Sequence, residues 1–200
     1  MEIAFRIIEI IVSLLAVIAV VFGWIIPYKQ SIKTEKIRKE SDRIAEQKRW
    51  KKELIDKQIS LLYGPLDQII RESKKMFNLI LYQLGRNYII GKDQKFEDLP
   101  ENERKIWMHY VDTYKIPNQM KMVEIIRNNI HLMLDSVVPP CVNIFLEYAL
   151  GWELLDNQSR NGVPNFYEYH YSYNYPKIFD SYIQDTLSIL LQEQAKLTNN

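Results

Sequence analysis

A run of uncharged, mostly apolar residues near the N-terminus places the strongest constraint on this chain. Residues 10–26 read IIVSLLAVIAVVFGWII and would cover about 25 Å as an α-helix. Together with residues 3–9 they are long enough to cross a bilayer with some tilt. A cleaved signal peptide would need a basic start, a shorter apolar core and a small-x-small cleavage site, and the segment has none of these. We therefore predict that residues 1–28 form a transmembrane anchor.

The distribution of basic residues predicts the orientation of this anchor. One basic side chain, Arg6, precedes the apolar run, and six follow it closely: Lys29, Lys33, Lys36, Arg38, Lys39 and Arg43. Because basic flanks stay on the cytoplasmic side of a membrane, we expect the N-terminus outside and everything after Tyr28 in the cytoplasm. Trp24 and Tyr28 lie where an inner aromatic belt is expected.

One side of the predicted anchor is small and polar. Its residues recur at alternating spacings of three and four, within a helical stripe of roughly 100°: Arg6, Glu9, Ser13, Ala16, Val20 and Gly23. Helices bury such stripes against other helices or turn them towards a water-filled lumen. We predict a self-association face or a pore lining. The alternative is that Arg6 and Glu9 snorkel to the outer surface and the small residues are scattered by chance.

The segment after the anchor is predicted to be a long juxtamembrane helix over residues 29–62. Residues 29–57 carry a net charge of +5, although the whole chain carries only +1. Apolar side chains are sparse up to residue 50: Ile32, Ile37, Ile44 and Trp50. Such a helix buries little by itself, so we expect a stalk or the outer part of an oligomeric collar. A solvated helix attracted to anionic headgroups is the alternative.

Residues 63–200 are predicted to fold as a compact cytoplasmic helical bundle, which makes the chain all-α. Gly64 and Pro65 should break or kink the first long helix, and apolar spacing predicts a second helix to about Gly85. Further helices are expected at about 101–115, 117–134, 139–156 and 176–196, with loops at 86–100 and 157–175. Within the last loop, the alternating tyrosines of YEYHYSYNY (167–175) suggest a short extended segment.

Several kinds of chemistry are absent from the sequence. The six glycines never cluster into a phosphate-cradling loop or a dinucleotide fingerprint. The lone cysteine, Cys141, is expected to be a core residue, and three histidines far apart in sequence make no metal site. We therefore expect no cofactor and no metal, and the near-neutral charge gives no argument for a nucleic acid or an acidic substrate.

Two arginine–histidine pairs remain as catalytic candidates. RKIWMH contains Arg104 and His109, and RNNIH contains Arg127 and His131. HEPN-type ribonuclease domains pair an arginine and a histidine as R-x(4–6)-H at a dimer interface and act on an RNA 2′-hydroxyl without metal. The first pair has this spacing and the second is one residue too close. Residues five apart on a helix point about 140° apart, and residues four apart about 40° apart. Arg104 and His109 therefore match the motif spacing but point in different directions, whereas Arg127 and His131 share a helix face but are one residue too close.

The architecture resembles a known family. An anchor, a basic juxtamembrane helix and a helical domain with a degenerate HEPN-like pair are similar to the small membrane accessory protein of type VI-B CRISPR systems. LYGPL (62–66), IIRNNIHLML (125–134) and YPKIF (175–179) also resemble a broader set of bacterial membrane-anchored helical proteins. The resemblance implies an oligomer in the bacterial inner membrane whose anchors surround a pore. It also implies partnership with an RNA-guided ribonuclease and its RNA in antiviral defence.

The sequence therefore favours a pore-forming or membrane-perturbing oligomer, with the lipid bilayer and other copies of the chain as partners. Because the arginine–histidine pairs are degenerate or poorly facing, a non-enzymatic role is favoured over catalysis. Two alternatives stay open, namely a membrane-tethered HEPN-like ribonuclease and a non-enzymatic membrane scaffold or sensor.

Overall fold

The protein is helical throughout the part that the structure describes. This computed structural model describes residues 2–87, 96–135, 137–162 and 175–198, with the backbone alone for residues 2–19, 21–28, 30, 97 and 159. All elements in these ranges are helices, so the predicted all-α class is confirmed. The predicted extended segment at 167–175 lies outside the described residues except for Tyr175. The chain forms two compact units, Met1–Lys51 and Lys52–Asn200.

The first unit consists of most of helix α1, Glu2–Lys57. Its α-helical backbone runs through the predicted anchor and on to Lys57, five residues short of the predicted end of the juxtamembrane helix. Every side chain from residue 31 to residue 51 is exposed, and pairs of opposite charge one turn apart support this solvated stretch, such as Lys39–Glu35 at 2.8 Å and Arg43–Glu40 at 2.7 Å. Among the residues that the structure describes, no helix is long and apolar enough to cross a membrane.

The second unit opens with a change of helical pitch at the predicted break. Residues Gln58–Tyr63 form a π-helical segment, and helix α2 follows directly as Gly64–Gln83. The amide of Gly64 donates to the carbonyl of Ile59, five residues back, and Gly64 keeps right-handed helical angles. The helix therefore widens at Gly64–Pro65 and does not end there. A proline has no amide to donate, and the wider π turn accommodates its ring.

A π segment also precedes Pro117. Helix α3, Glu101–Tyr110, passes through a π segment, Val111–Lys115, into helix α4, Ile116–Asn129. The amide of Ile116 donates to the carbonyl of Val111, and Pro117 comes next. The two helices predicted on either side of Pro117 are thus one continuous helical run.

The remaining described elements complete the bundle. Short 3-10 turns lie at Phe96–Asp98 and Ile130–Leu132, and helices α5 and α6 span Pro140–Arg160 and Lys177–Thr198. Gly85 follows α2 with a positive φ of 63°, a conformation that glycine adopts without steric cost.

One apolar core joins the end of α1, the first π segment and helices α2, α4, α5 and α6. Its fully buried large side chains include Tyr63, Phe145, Phe179, Leu62, Leu66, Ile70, Met122, Ile126, Ile183 and Leu190. Cys141 is buried in this core as a free thiol, as predicted. Buried Gln58 donates from Nε2 to the carbonyl of Leu132 at 3.0 Å, which ties the first π segment to the 3-10 turn after α4.

Candidate functional site

The predicted arginine–histidine pairs lie on α3, on α4 and on the 3-10 turn that follows α4. Arg104 and His109 lie five residues apart on α3, and Arg127 lies near the end of α4, whereas His131 belongs to the following 3-10 turn. Arg127, His131 and His109 are exposed. Within the described ranges, no hydrogen bond or ion pair joins the two members of either pair.

His109 has other polar neighbours. Its Nδ1 atom lies 3.4 Å from the hydroxyl oxygen of Thr113. Burial raises the pKa of Asp112, repulsion from Asp156 adds to that rise, and Arg160 and His109 oppose it. Arg160 itself forms an ion pair with Asp156 at 2.9 Å. His109, Asp112, Asp156 and Arg160 therefore interact electrostatically with one another, and they come from α3, the second π segment and α5.

The positions of the predicted anchor stripe lie on the first part of helix α1. Of Arg6, Glu9, Ser13, Ala16, Val20 and Gly23, only the side chain of Val20 is described, and it is 63 % exposed. An exposed valine in an isolated copy is available for contact with lipid or with another chain.

A lysine enclosed by aromatic rings is the most distinctive chemical feature of the second unit. Lys115 ends the second π segment and is half-buried. Its Nζ atom lies 3.0 Å from the ring centroid of Trp152, 5.6 Å from that of Trp107 and 5.7 Å from that of Tyr148. We call this arrangement the aromatic cage. It connects α3, the second π segment and α5.

Burial dominates the electrostatics of the cage. It lowers the pKa of Lys115 well below its ordinary value, because the charged amine loses solvation and no carboxylate in the described chain pairs with it. Contact with the ring faces acts in the opposite direction and favours the charged form by about 0.5–2 kcal/mol. Burial also raises the pKa of Tyr110 and of Tyr148 to about 12, so both phenols stay neutral at physiological pH.

A buried amide adds an unused hydrogen-bond acceptor near the cage. Gln119 lies four residues after Lys115 on α4 and is 4 % exposed. Its side chain interacts with the phenol of Tyr148, and its Oε1 atom has no hydrogen-bond partner among the described residues. A buried acceptor without a donor is costly, so its presence marks a position where a donor would bind favourably.

A series of side-chain contacts links the cage to α6 and α2. The ring of Tyr148 packs edge-on against Tyr175 at 5.5 Å, and the Tyr175 hydroxyl donates to buried Asp180. The other carboxylate oxygen of Asp180 lies 2.8 Å from the ammonium of Lys74 on α2. Burial, and then the bond to Asp180, raise the pKa of Tyr175. These contacts connect α2, α5 and α6 and hold the ring of Tyr148 in its place in the cage.

Sequence reasoning did not single out this region. From the sequence alone, Lys115 reads as an ordinary surface residue at the end of a predicted helix. The sequence feature that could have indicated the cage is Lys115, which lies two residues before Pro117 in a stretch rich in aromatic residues. Among the described residues, no group of three His, Cys, Asp or Glu side chains is arranged to hold a metal ion. The cage therefore offers an amine, neutral phenols and one free acceptor.

Comparison with known proteins adds no relative. The chain matches no protein-family model, no curated protein and no solved structure. The resemblance to the type VI-B accessory protein therefore rests on the quoted sequence elements alone.

Proposed function

We propose that the chain is a single-pass protein of the bacterial inner membrane that assembles into an oligomer and forms a pore or otherwise perturbs the membrane potential. The apolar run at 10–26 within an unbroken helical backbone carries this proposal. In this arrangement the N-terminus lies outside and residues 29–200 lie in the cytoplasm. By resemblance, we place the activity in CRISPR-associated antiviral defence, with an RNA-guided ribonuclease and its RNA as partners.

The exposed half of α1 supports self-association. Ile32, Ile37, Ile44 and Trp50 are all exposed in a single copy, and Ile37 and Trp50 are more than 60 % exposed. Ile37 and Ile44 lie seven residues apart and therefore share a helix face. Neighbouring copies brought together by their anchors could cover these side chains, and the basic residues of this stretch would hold it near anionic lipid.

The predicted arginine–histidine pairs bear on the ribonuclease alternative. A HEPN-like ribonuclease requires an arginine and a histidine to converge at a dimer interface, and no hydrogen bond or ion pair joins either candidate pair among the described residues of one copy. RNA cleavage by the purified protein that disappears in Arg104→Ala or Arg127→Ala would favour the ribonuclease.

A scaffold or sensor would close its anchors into a dry dimer or trimer. The mass of the detergent-solubilised protein separates these possibilities, because a water-filled lumen requires a larger ring.

The orientation can be measured with reporters. We expect a C-terminal alkaline phosphatase fusion to be inactive and a C-terminal fluorescent protein to be bright, because six basic residues follow the apolar run and one precedes it. As a control, replacing those six residues with Gln and adding lysines before residue 3 should reverse both signals. A strong phosphatase signal from the unmodified chain contradicts the topology and, with it, the proposed function.

A matched pair of substitutions tests the pore. Val20→Asn should hydrate an apolar constriction and increase dye-reported depolarisation of expressing cells, since such constrictions block ions by dewetting. Ile18→Asn, about 160° away around the helix, should mainly reduce insertion into the membrane. Membrane-potential dyes and fractionation measure the two effects. If both substitutions have equal, weak effects, the stripe is not a lumen and the pore proposal fails.

A further inference from the structure

We propose that neighbouring copies of the chain meet head to tail through two unlike surfaces of the second unit. The first, which we call the α2 surface, consists of Lys75, Leu79 and Tyr82. The second, the α6 surface, consists of Leu134, Val137, Ile178 and Asp185. The inference rests on the oligomer proposed above and names its contact, because a repeated contact between unlike surfaces generates a ring when the rotation between copies closes.

The α2 surface presents apolar side chains and an unpaired cation to solvent. Leu79 and Tyr82 are both exposed, and Tyr82, at 86 % exposure, is the most exposed large apolar side chain in the described chain. Lys75 lies one turn before Leu79 on the same helix face. Arg71 and Lys74 each pair with an aspartate of the same chain, whereas Lys75 forms no ion pair among the described residues. Exposed apolar side chains that lie together mark a contact with another molecule.

The α6 surface joins the α4–α5 connection to the start of α6. The Tyr182 hydroxyl donates to the carboxylate of Asp135 at 3.1 Å, which fixes the connection against the helix. Ile178 lies one turn before Tyr182, and Val137 lies two residues after Asp135, so exposed aliphatic side chains flank this bond. Leu134, directly before Asp135, is exposed as well. The surface is thus mainly apolar, and a hydrogen bond within the chain holds its two parts together.

The two surfaces carry opposite charges. Asp185 lies two turns after Ile178 on the same face of α6, and it is exposed and forms no ion pair in the part of the chain that the structure describes. Asp135 is a second exposed carboxylate, and the bond that it accepts comes from a neutral hydroxyl. Lys75 supplies a cation. Opposite charges beside apolar contacts favour one docking and its register over others.

The direction of the helices is compatible with this pairing. The contacts Lys74–Asp180 at 2.8 Å and Gln194–Asp56 at 2.6 Å show that α6 runs antiparallel to the continuous helical run that contains α2. In a ring whose axis follows these helices, the α2 helix of the neighbouring copy is therefore antiparallel to α6 as well.

The spacing along the two helices also matches. Seven residues separate Lys75 from Tyr82, and seven separate Ile178 from Asp185, which is about 10.5 Å of helix in each case. In an antiparallel arrangement, Lys75 of one copy reaches Asp185 of the next while Tyr82 packs on Ile178. One docking thus pairs the charges and covers the apolar side chains together.

Disulfide cross-linking of the full chain in its membrane tests the contact, in a Cys141→Ala background. Membranes from cells that co-express Tyr82→Cys chains and Ile178→Cys chains should give disulfide-linked dimers on oxidation. Membranes that contain either chain alone should give at least fivefold fewer, because each surface then meets a surface without a cysteine.

Charge reversal tests the register of the same contact. Lys75→Glu, introduced into both cross-linking chains, should reduce the dimer yield at least fivefold, and the further change Asp185→Lys should restore it by reversing the pair. Lys121→Glu is the matched control, since it makes the same change in net charge at an exposed lysine of α4 and should leave the yield unchanged.

The outcomes separate this contact from the proposed oligomer. Cross-linking of Ile178→Cys chains alone at the yield of the mixture overturns the head-to-tail arrangement, because like surfaces would then meet. An oligomeric mass of the detergent-solubilised chain without cross-links in the mixture overturns this contact and leaves the proposed oligomer standing, whereas a monomeric mass overturns both. A dimer yield that is insensitive to Lys75→Glu overturns its pairing with Asp185.

Discussion

Gly64→Ala is expected to lower the free energy of unfolding by about 3 kcal/mol, a large effect for the addition of one methyl group. A Cβ atom at this position would lie 2.6 Å from the carbonyl oxygen of Ile59. That oxygen belongs to the backbone and accepts the π-type hydrogen bond from Gly64, so neither side of the contact can move without loss of the bond. Urea unfolding of the full chain in detergent, followed by tryptophan fluorescence, measures the change.

Gly85→Ala is the matched control for this substitution. Gly85 has a positive φ of 63° and open space around the position of a Cβ atom, so alanine there should cost only about 1 kcal/mol of backbone strain. A larger loss for Gly64→Ala than for Gly85→Ala assigns the effect to steric contact within the π segment. Equal losses would mean that the π segment relaxes around the added methyl group.

Phe179→Ala should destabilise the second unit by about 3–5 kcal/mol. Phe179 is fully buried and stacks on Phe145, with ring centroids 4.1 Å apart and planes 8° from parallel. Truncation removes both the buried area and the stacked partner, and it leaves a cavity between α5 and α6. Chemical denaturation again supplies the measurement.

Two further variants serve as controls for the Phe179→Ala measurement. Ile178→Ala, at the adjacent but exposed position, should change stability by less than about 0.5 kcal/mol. The double variant Phe145→Ala/Phe179→Ala should cost less than the sum of the single variants, because the rings share one contact. Full additivity would show that the two rings act independently and that the stacked geometry contributes nothing.

Much of the fold could be predicted because prolines and apolar spacing report local structure. Apolar spacing predicted α2, and the helices expected at about 139–156 and 176–196 correspond to α5 and α6. The helical continuity at Gly64–Pro65 and Ile116–Pro117 was missed. A proline reads as a helix end from local rules, and only the surrounding bundle makes a widened turn cheaper than a break.

The candidate site depended on long-range packing and was therefore hidden. Trp107, Lys115 and Trp152 come from three elements, and no short motif links them. Conversely, Arg104 and His109 have the motif spacing, yet no hydrogen bond or ion pair joins them among the described residues. Sequence spacing fixes which residues share a helix face, whereas the distance between helices requires the tertiary structure.

The first π segment also determines which way the side chains at the end of α1 point relative to those of α2. A π turn contains one more residue per hydrogen-bonded ring than an α turn, so Gln58–Tyr63 behaves as a one-residue insertion. Deleting exposed Ser60 would allow ordinary α-helical hydrogen bonds throughout, and yet it would rotate Ile55 and Gln58 by about 100° relative to α2. Ile55 would then leave the core and Gln58 would lose the carbonyl of Leu132. A more regular helix would thus give a less stable protein, and any homologue aligned to this chain should keep its length constant across these six residues.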